Sequence, residues 1–167
     1  MSLYSETKAQ FVQGLHNLSA ILEKGSVWAK EHGASEADLL DKKLAEDMFP
    51  LARQVQVTSD MAKRAVARLA NVEAPVMEDT ETSIAELQAR IAATIAWIES
   101  VTDGQLEGDD ERPIMVKARE HELHFTARSF VFTFAVPNFY FHFTTAYDIL
   151  RHAGVPLGKR DFLGKIN

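Results

Sequence analysis

Between Pro137 and Pro156 the chain carries its own start and stop signals for a helix, and these constrain how the rest can be arranged. Proline fixes φ and lacks an N–H, which suits the first helical turn. Gly154 supplies a left-handed stop, and Pro156 cannot continue a helix. A helix from about Pro137 to Ala153 is therefore predicted. It holds the densest aromatic run in the sequence, with His142 and His152 among the rings, so its polar residues are the first place to look for chemistry.

Three more long helices are predicted upstream. Phe11, Leu15, Leu18, Leu22 and Ala29 recur at three- and four-residue steps, with Val12, Ile21 and Trp28 on the flank, giving a helix that ends at Gly33,. His16 is read as a boundary residue of that helix. Ser35 opens a short connector. Met48, Leu51, Val55, Met61, Ala65 and Leu69 mark a second long helix starting near Asp47 and closing before Pro75, with Pro50 in its first turn,. Residues 74–82 read as a linker. Ser83 and Glu86 form a capping box for a third helix carrying Ile84, Leu87, Ile91, Ile95 and Ile98, with Trp97 at the edge of that stripe,.

The acidic loop from Asp103 to Arg112 lacks the residue spacing of an EF-hand,. From Pro113 to Phe125 apolar and polar residues alternate, which predicts a small β-hairpin turning near Arg119 to Glu122,. His121 and His124 fall on opposite faces of such a strand and make no metal pair. Residues 126–136 fit a kinked helix capped by Thr126 and bent at Pro137, with a buried strand as the alternative,.

A length of 167 residues fits one domain, 1–167, large enough to bury a sizeable core,. The net charge of −6 and the scattered basic residues oppose nucleic-acid binding,. Without cysteine there is no thiolate ligand, thiol nucleophile or disulfide,. No apolar run spans a bilayer and the N-terminus lacks a signal-peptide pattern, so a cytoplasmic protein is expected, with no nucleic acid and no membrane among its partners,. No nucleophile elbow, Gly-rich phosphate loop or HExxH motif is present, and Gly158-Lys159 follows a helix rather than opening one,.

On the last helix Asn138 and His142 are four residues apart and share a face. Gln54 follows the inward stripe of the second helix. Asp47 stands where a carboxylate complements a helix N-terminus. His152 is too far along the axis to join His142 at one metal and is expected to meet the carbonyls of the last turn.

Four long helices, the long crossover after the second, and the segments Asp47-Met-Phe-Pro-Leu, Gln54-Val-Gln, Pro137-Asn-Phe-Tyr-Phe-His and Leu150-Arg-His-Ala-Gly-Val-Pro-Leu-Gly-Lys carry a resemblance. Together they resemble the DinB/YfiT-like superfamily of proposed metalloenzymes, in a bacterial branch known as a domain of unknown function. The resemblance covers nearly the whole chain. It implies an all-α, up-down four-helix bundle with a small β-hairpin before the last helix. In that superfamily a divalent metal is held by one histidine of the second helix and an HxxxH pair of the fourth. Those positions fall on Gln54, Asn138 and His142, so His142 is the one imidazole left and the metal site is degenerate.

Carboxamide oxygens are weak neutral ligands, so no cofactor is expected, a divalent metal at His142 being the minor alternative. The functional expectation is a small-molecule-binding module whose site comprises Gln54, Asn138 and His142 with walls from Phe139 and Phe143. One alternative is a metal-dependent transferase or hydrolase using His142, with Asp47 as its catalytic partner. Another is a non-catalytic homodimer assembled through the aromatic run from Phe130 to Phe143.

Overall fold

Residues 2–118 and 120–165 are described by a computed structural model of the chain. Helix α1 (Leu3–Glu31) buries the predicted stripe of Phe11, Leu15, Leu18, Leu22 and Ala29, and Ile21, expected on the flank, is buried as fully. His16 is exposed. Ser35 caps the connector α2 (Glu36–Leu40), which anchors Leu39 and Leu40 in the core,.

Helix α3 (Leu51–Ala70) begins later than its apolar spacing suggests. Pro50 is extended, with φ −70° and ψ 168°, and stands outside the helix as its N-cap. Its ring also disfavours helical geometry at Phe49, so the helix cannot reach back to Asp47. Asp47 instead lies exposed in the preceding turn, and Met48 belongs to no helix. At the other end Asn71 adopts φ 55°, a left-handed stop that asparagine tolerates,.

Helix α4 (Ile84–Ser100) starts at Ser83, whose hydroxyl accepts the Glu86 N–H. The return half of the expected capping box is displaced by one residue, since Glu86 accepts from the Thr82 N–H at 2.6 Å. The first turn is closed either way.

Polar contacts between helices fix their directions. Lys8 near the start of α1 donates to the Val101 carbonyl just past the end of α4, and Gln88 near the start of α4 donates to the Ser19 carbonyl. Helices α1 and α4 are thus antiparallel. Arg112 donates to the Leu69 carbonyl at the end of α3 while its guanidinium lies over Tyr4, so α3 also ends where α1 begins. Helices α3 and α4 therefore run the same way. Residues 71–83 must return along the length of the bundle between them, and the last long helix then runs parallel to α1. The four-helix bundle has the order up, down, down, up, with one long crossover.

The hairpin is formed by β1 (Pro113–Ala118) and β2 (His121–Thr126), with Met115 opposite His124 and Val116 opposite Leu123. Ile114 and Val116 face the core while Met115 is exposed, as period-two alternation requires,. Pairing begins at Ala118 with His121, so the connection is tighter than the expected span of Arg119 to Glu122. Arg119 itself lies outside the described residues.

Thr126 caps α5 (Ala127–Phe130), which continues through a π-helical turn, Val131–Ala135, into α6 (Val136–Ala153). The strand alternative for 126–136 is thereby excluded. Proline at 137 cannot donate to the ladder, and the wide turn just before it, where the Val136 N–H reaches back to the Val131 carbonyl, accommodates the interruption,. Gly154, with φ 109°, ends α6 as predicted, and α7 (Lys159–Leu163) folds back over the bundle.

Candidate functional site

Helices α3 and α6 pack side by side and bring Gln54 to His142. The Gln54 Nε2 donates to the Phe49 carbonyl at 3.1 Å, a contact that only the amide nitrogen can make,. That leaves Oε1 facing Nδ1 of His142 at 2.7 Å. A carboxamide oxygen only accepts, so His142 Nδ1 carries the proton and the neutral ring keeps its lone pair on Nε2. Gln54 is 1% exposed, which makes this hydrogen bond part of the core on one side. His142 is half-buried. Burial, and then the nearby charge of Arg53, push its pKa down, favouring the neutral ring,.

Two phenylalanines frame the imidazole. Phe49 stacks on it with centroids 6.4 Å apart, and Phe141 meets it edge-on at 5.1 Å. Both rings are themselves about half exposed. Arg53 lies over Phe49 at 5.7 Å and is ion-paired with Asp79. The arrangement is a half-buried imidazole with an acceptor at Nε2, two half-exposed phenylalanine rings beside it, and the Arg53 cation over one of them.

The other expected site residues are placed elsewhere. Asn138, on the same helical face as His142, donates its Nδ2 to the Phe134 carbonyl at 2.7 Å, in the turn that Pro137 interrupts. Its carboxamide thus supports its own helix. Phe139 and Phe143 point away from Gln54 toward α1: Phe139 packs on Phe11 at 4.8 Å, and Phe143 stacks on Phe162 of α7 at 4.3 Å. They are core residues on the neighbouring, α1-facing side of α6,. His152 is exposed near the C-terminus of α6. Within the aromatic run, Phe132 and Phe141 are exposed while Phe130, Phe139 and Phe143 are buried.

The donor set at Gln54, Asn138 and His142 does not fit a tetrahedral metal centre. Gln54 Oε1 faces a proton-bearing nitrogen and Asn138 turns its Nδ2 to a backbone carbonyl, leaving His142 Nε2 and the weak, neutral Asn138 Oδ1 where a catalytic zinc takes about three protein ligands,. Among the described residues no group of three or more His, Asp or Glu side chains is placed to hold a metal.

Sequence reasoning missed the second polar cluster altogether. Residues 74–82, expected as a linker between helices, form a strap pinned across α3 and α4 by Arg90. Its guanidinium donates to Glu81 Oε1 and to the Glu78 carbonyl at 2.9 Å each, and to Asp60 Oδ1 at 3.0 Å, while Nε donates to Ser59. Asp79 lies 3.0 Å from the same guanidinium, and Lys63 pairs with Asp60 at 3.0 Å. Burial alone would pull the arginine pKa down, but hydrogen bonding to Glu81 and the surrounding carboxylates outweigh it,. The available signal was an arginine three residues after Leu87 and one before Ile91, close to an otherwise apolar stripe.

The fold and these residues can be compared with known proteins. A DinB family member protein from Shewanella denitrificans, known from a crystal structure, has a TM-score of 0.88 and 40% sequence identity to this chain, covering 98% of this chain and 93% of that one. No curated protein matches the chain. A domain of unknown function, DUF1993, matches residues 3–163. With that domain spanning nearly its full length on a DinB-like fold, the chain belongs to the DUF1993 family.

Proposed function

We propose that the protein is a small-molecule-binding module of the DinB type, in which a Gln54–His142 hydrogen-bonded pair stands where the superfamily places a metal. The observation that supports this reading is the double use of the Gln54 carboxamide, by the Phe49 carbonyl on one side and the His142 Nδ1–H on the other. It leaves His142 Nε2 as an acceptor between two half-exposed phenylalanine rings. Such a slot suits a flat ligand that carries one O–H or N–H donor. Asp47 is exposed in the turn before α3, two residues before Phe49.

The test combines metal content with a small probe. Protein purified without a histidine tag is expected to retain less than about a tenth of an equivalent of transition metal and to bind none tightly on titration. Phenol, titrated while the His142 ring nitrogens are followed by NMR, is expected to shift Nε2 and to lose that site in His142→Ala. Stoichiometric zinc or nickel would overturn the reading and favour the metal-dependent transferase or hydrolase.

A further inference from the structure

The groove between α1 and α7 carries chemistry that the Gln54–His142 pair does not use. Polar and aromatic contacts hold α7 against the bundle. Asn17 Nδ2 donates to the Phe162 carbonyl at 3.0 Å, Lys24 Nζ donates to Asp161 Oδ1 at 2.6 Å, and the Phe162 ring stacks on Phe143. Gly164, at φ 69°, then lets the chain pass flush over Asn17, whose carboxamide a Cβ there would strike,. These contacts enclose a cleft of about 600 Å³ whose lining includes Gln13, Asn17, Lys24, Arg160, Asp161 and Lys165.

Gln13 and Asn17 also border a smaller cavity of about 130 Å³, walled by Tyr140, Phe143 and Phe162. The two spaces, one basic and one largely aromatic, share a wall made by Gln13 and Asn17, whose side chains are hydrogen-bonded at 2.9 Å. In the larger, three cations face a single carboxylate, an excess of positive charge in a chain of net charge −6. Asp161 is already engaged by Lys24 and by the Gly158 N–H at 2.8 Å, bonds that hold its carboxyl below the usual range. Arg160 and Lys165 are exposed and have no ion-pair partner among the described residues.

We propose that this cleft binds a small aromatic carboxylate, with its anionic head between Arg160 and Lys165 and its ring in the cavity formed by Tyr140, Phe143 and Phe162. A guanidinium fork matches a carboxylate in geometry as well as charge. An apolar cavity of roughly 150 Å³ admits a benzene ring, so the smaller space is of the right order for one ring. This site lies on a different face of α6 from His142, which does not line it.

Isothermal titration of the full chain with phenylacetate tests the assignment. Saturable binding is expected with a Kd on the order of 1 mM or tighter, weakening as salt is raised. The double variant Arg160→Ala/Lys165→Ala is expected to bind about tenfold more weakly or worse, with an unchanged melting temperature because both side chains are exposed. Arg160→Lys/Lys165→Arg restores most of the affinity, and His142→Ala leaves it unchanged, separating this site from the α3–α6 slot. Acetate and benzyl alcohol, each carrying half of the recognised chemistry, bind about tenfold more weakly or worse. Absence of saturation by about 20 mM in the wild type overturns the proposal. So does unchanged binding in the alanine double variant, or inorganic phosphate binding as tightly as phenylacetate.

Discussion

Gln54 of α3 and His142 of α6, 88 positions apart in the chain, share a 2.7 Å hydrogen bond whose donor is the imidazole Nδ1. Its polarity follows from the bond that Gln54 makes to the Phe49 carbonyl, so three residues define one protonation state.

That state has a pH signature. The folded-state pKa of His142 is lowered from the ordinary 6.5, so below that value the unfolded chain binds the proton more readily than the folded one,. The contribution of His142 to stability is full above pH 6.5 and is lost as pH falls through its folded pKa. Urea midpoints measured from pH 7.5 down to pH 5 should decline, and His142→Ala should flatten part of that decline.

Removing either partner leaves the other unsatisfied. Gln54→Leu removes the partner of the Phe49 carbonyl and of the His142 Nδ1–H, and is expected to destabilise by about 1–3 kcal/mol,. A double-mutant cycle with His142→Ala should show a coupling of at least about 0.5 kcal/mol in chemical denaturation. Strict additivity would mean that the bond contributes nothing in solution.

Arg90 is the more consequential polar residue for folding. Replacing it with methionine leaves Glu81, 11% exposed at its side chain, without its cation and Asp60 with Lys63 and Arg64 alone, with an expected loss of about 3 kcal/mol in guanidinium unfolding,. Lysine cannot reproduce the fork that reaches Glu81, Asp60 and Ser59 together, so Arg90→Lys should recover only part of the loss,. Proteolysis should find the strap at 74–82 in both variants before it cuts the helices.

Gly14 sets the distance between α1 and α6. A Cβ there would lie 2.7 Å from the fully buried Phe139 ring. Gly14→Ala is expected to destabilise by about 1–3 kcal/mol through overpacking, although alanine has the higher helix propensity. A raised melting temperature in thermal unfolding would show that the ring has room to move.

Periodicity placed the four long helices and the hairpin because apolar spacing, caps and proline–glycine punctuation are local properties of the chain. It misplaced the start of α3, since Met48 extends the apolar pattern while the ring of Pro50 imposes the boundary,. The inward direction of Gln54 was legible from its place on the stripe. The engagement of Asn138 with its own helix was not, because it depends on the π turn beside Pro137.

The sequence by itself determined the helical class, the end of the last helix at Gly154, and a single imidazole among Gln54, Asn138 and His142. Tertiary structure decided which polar groups meet. Only the packing of α3 against α6 brings His142 to the Gln54 oxygen, whose amide nitrogen the Phe49 carbonyl already holds, and thereby fixes the proton on His142. Only the same-way course of α3 and α4 forces the 71–83 crossover along the bundle, where Arg90 can hold it. Hydrogen bonds and ion pairs depend on angstrom-scale convergence of distant segments, which spacing along one chain does not encode.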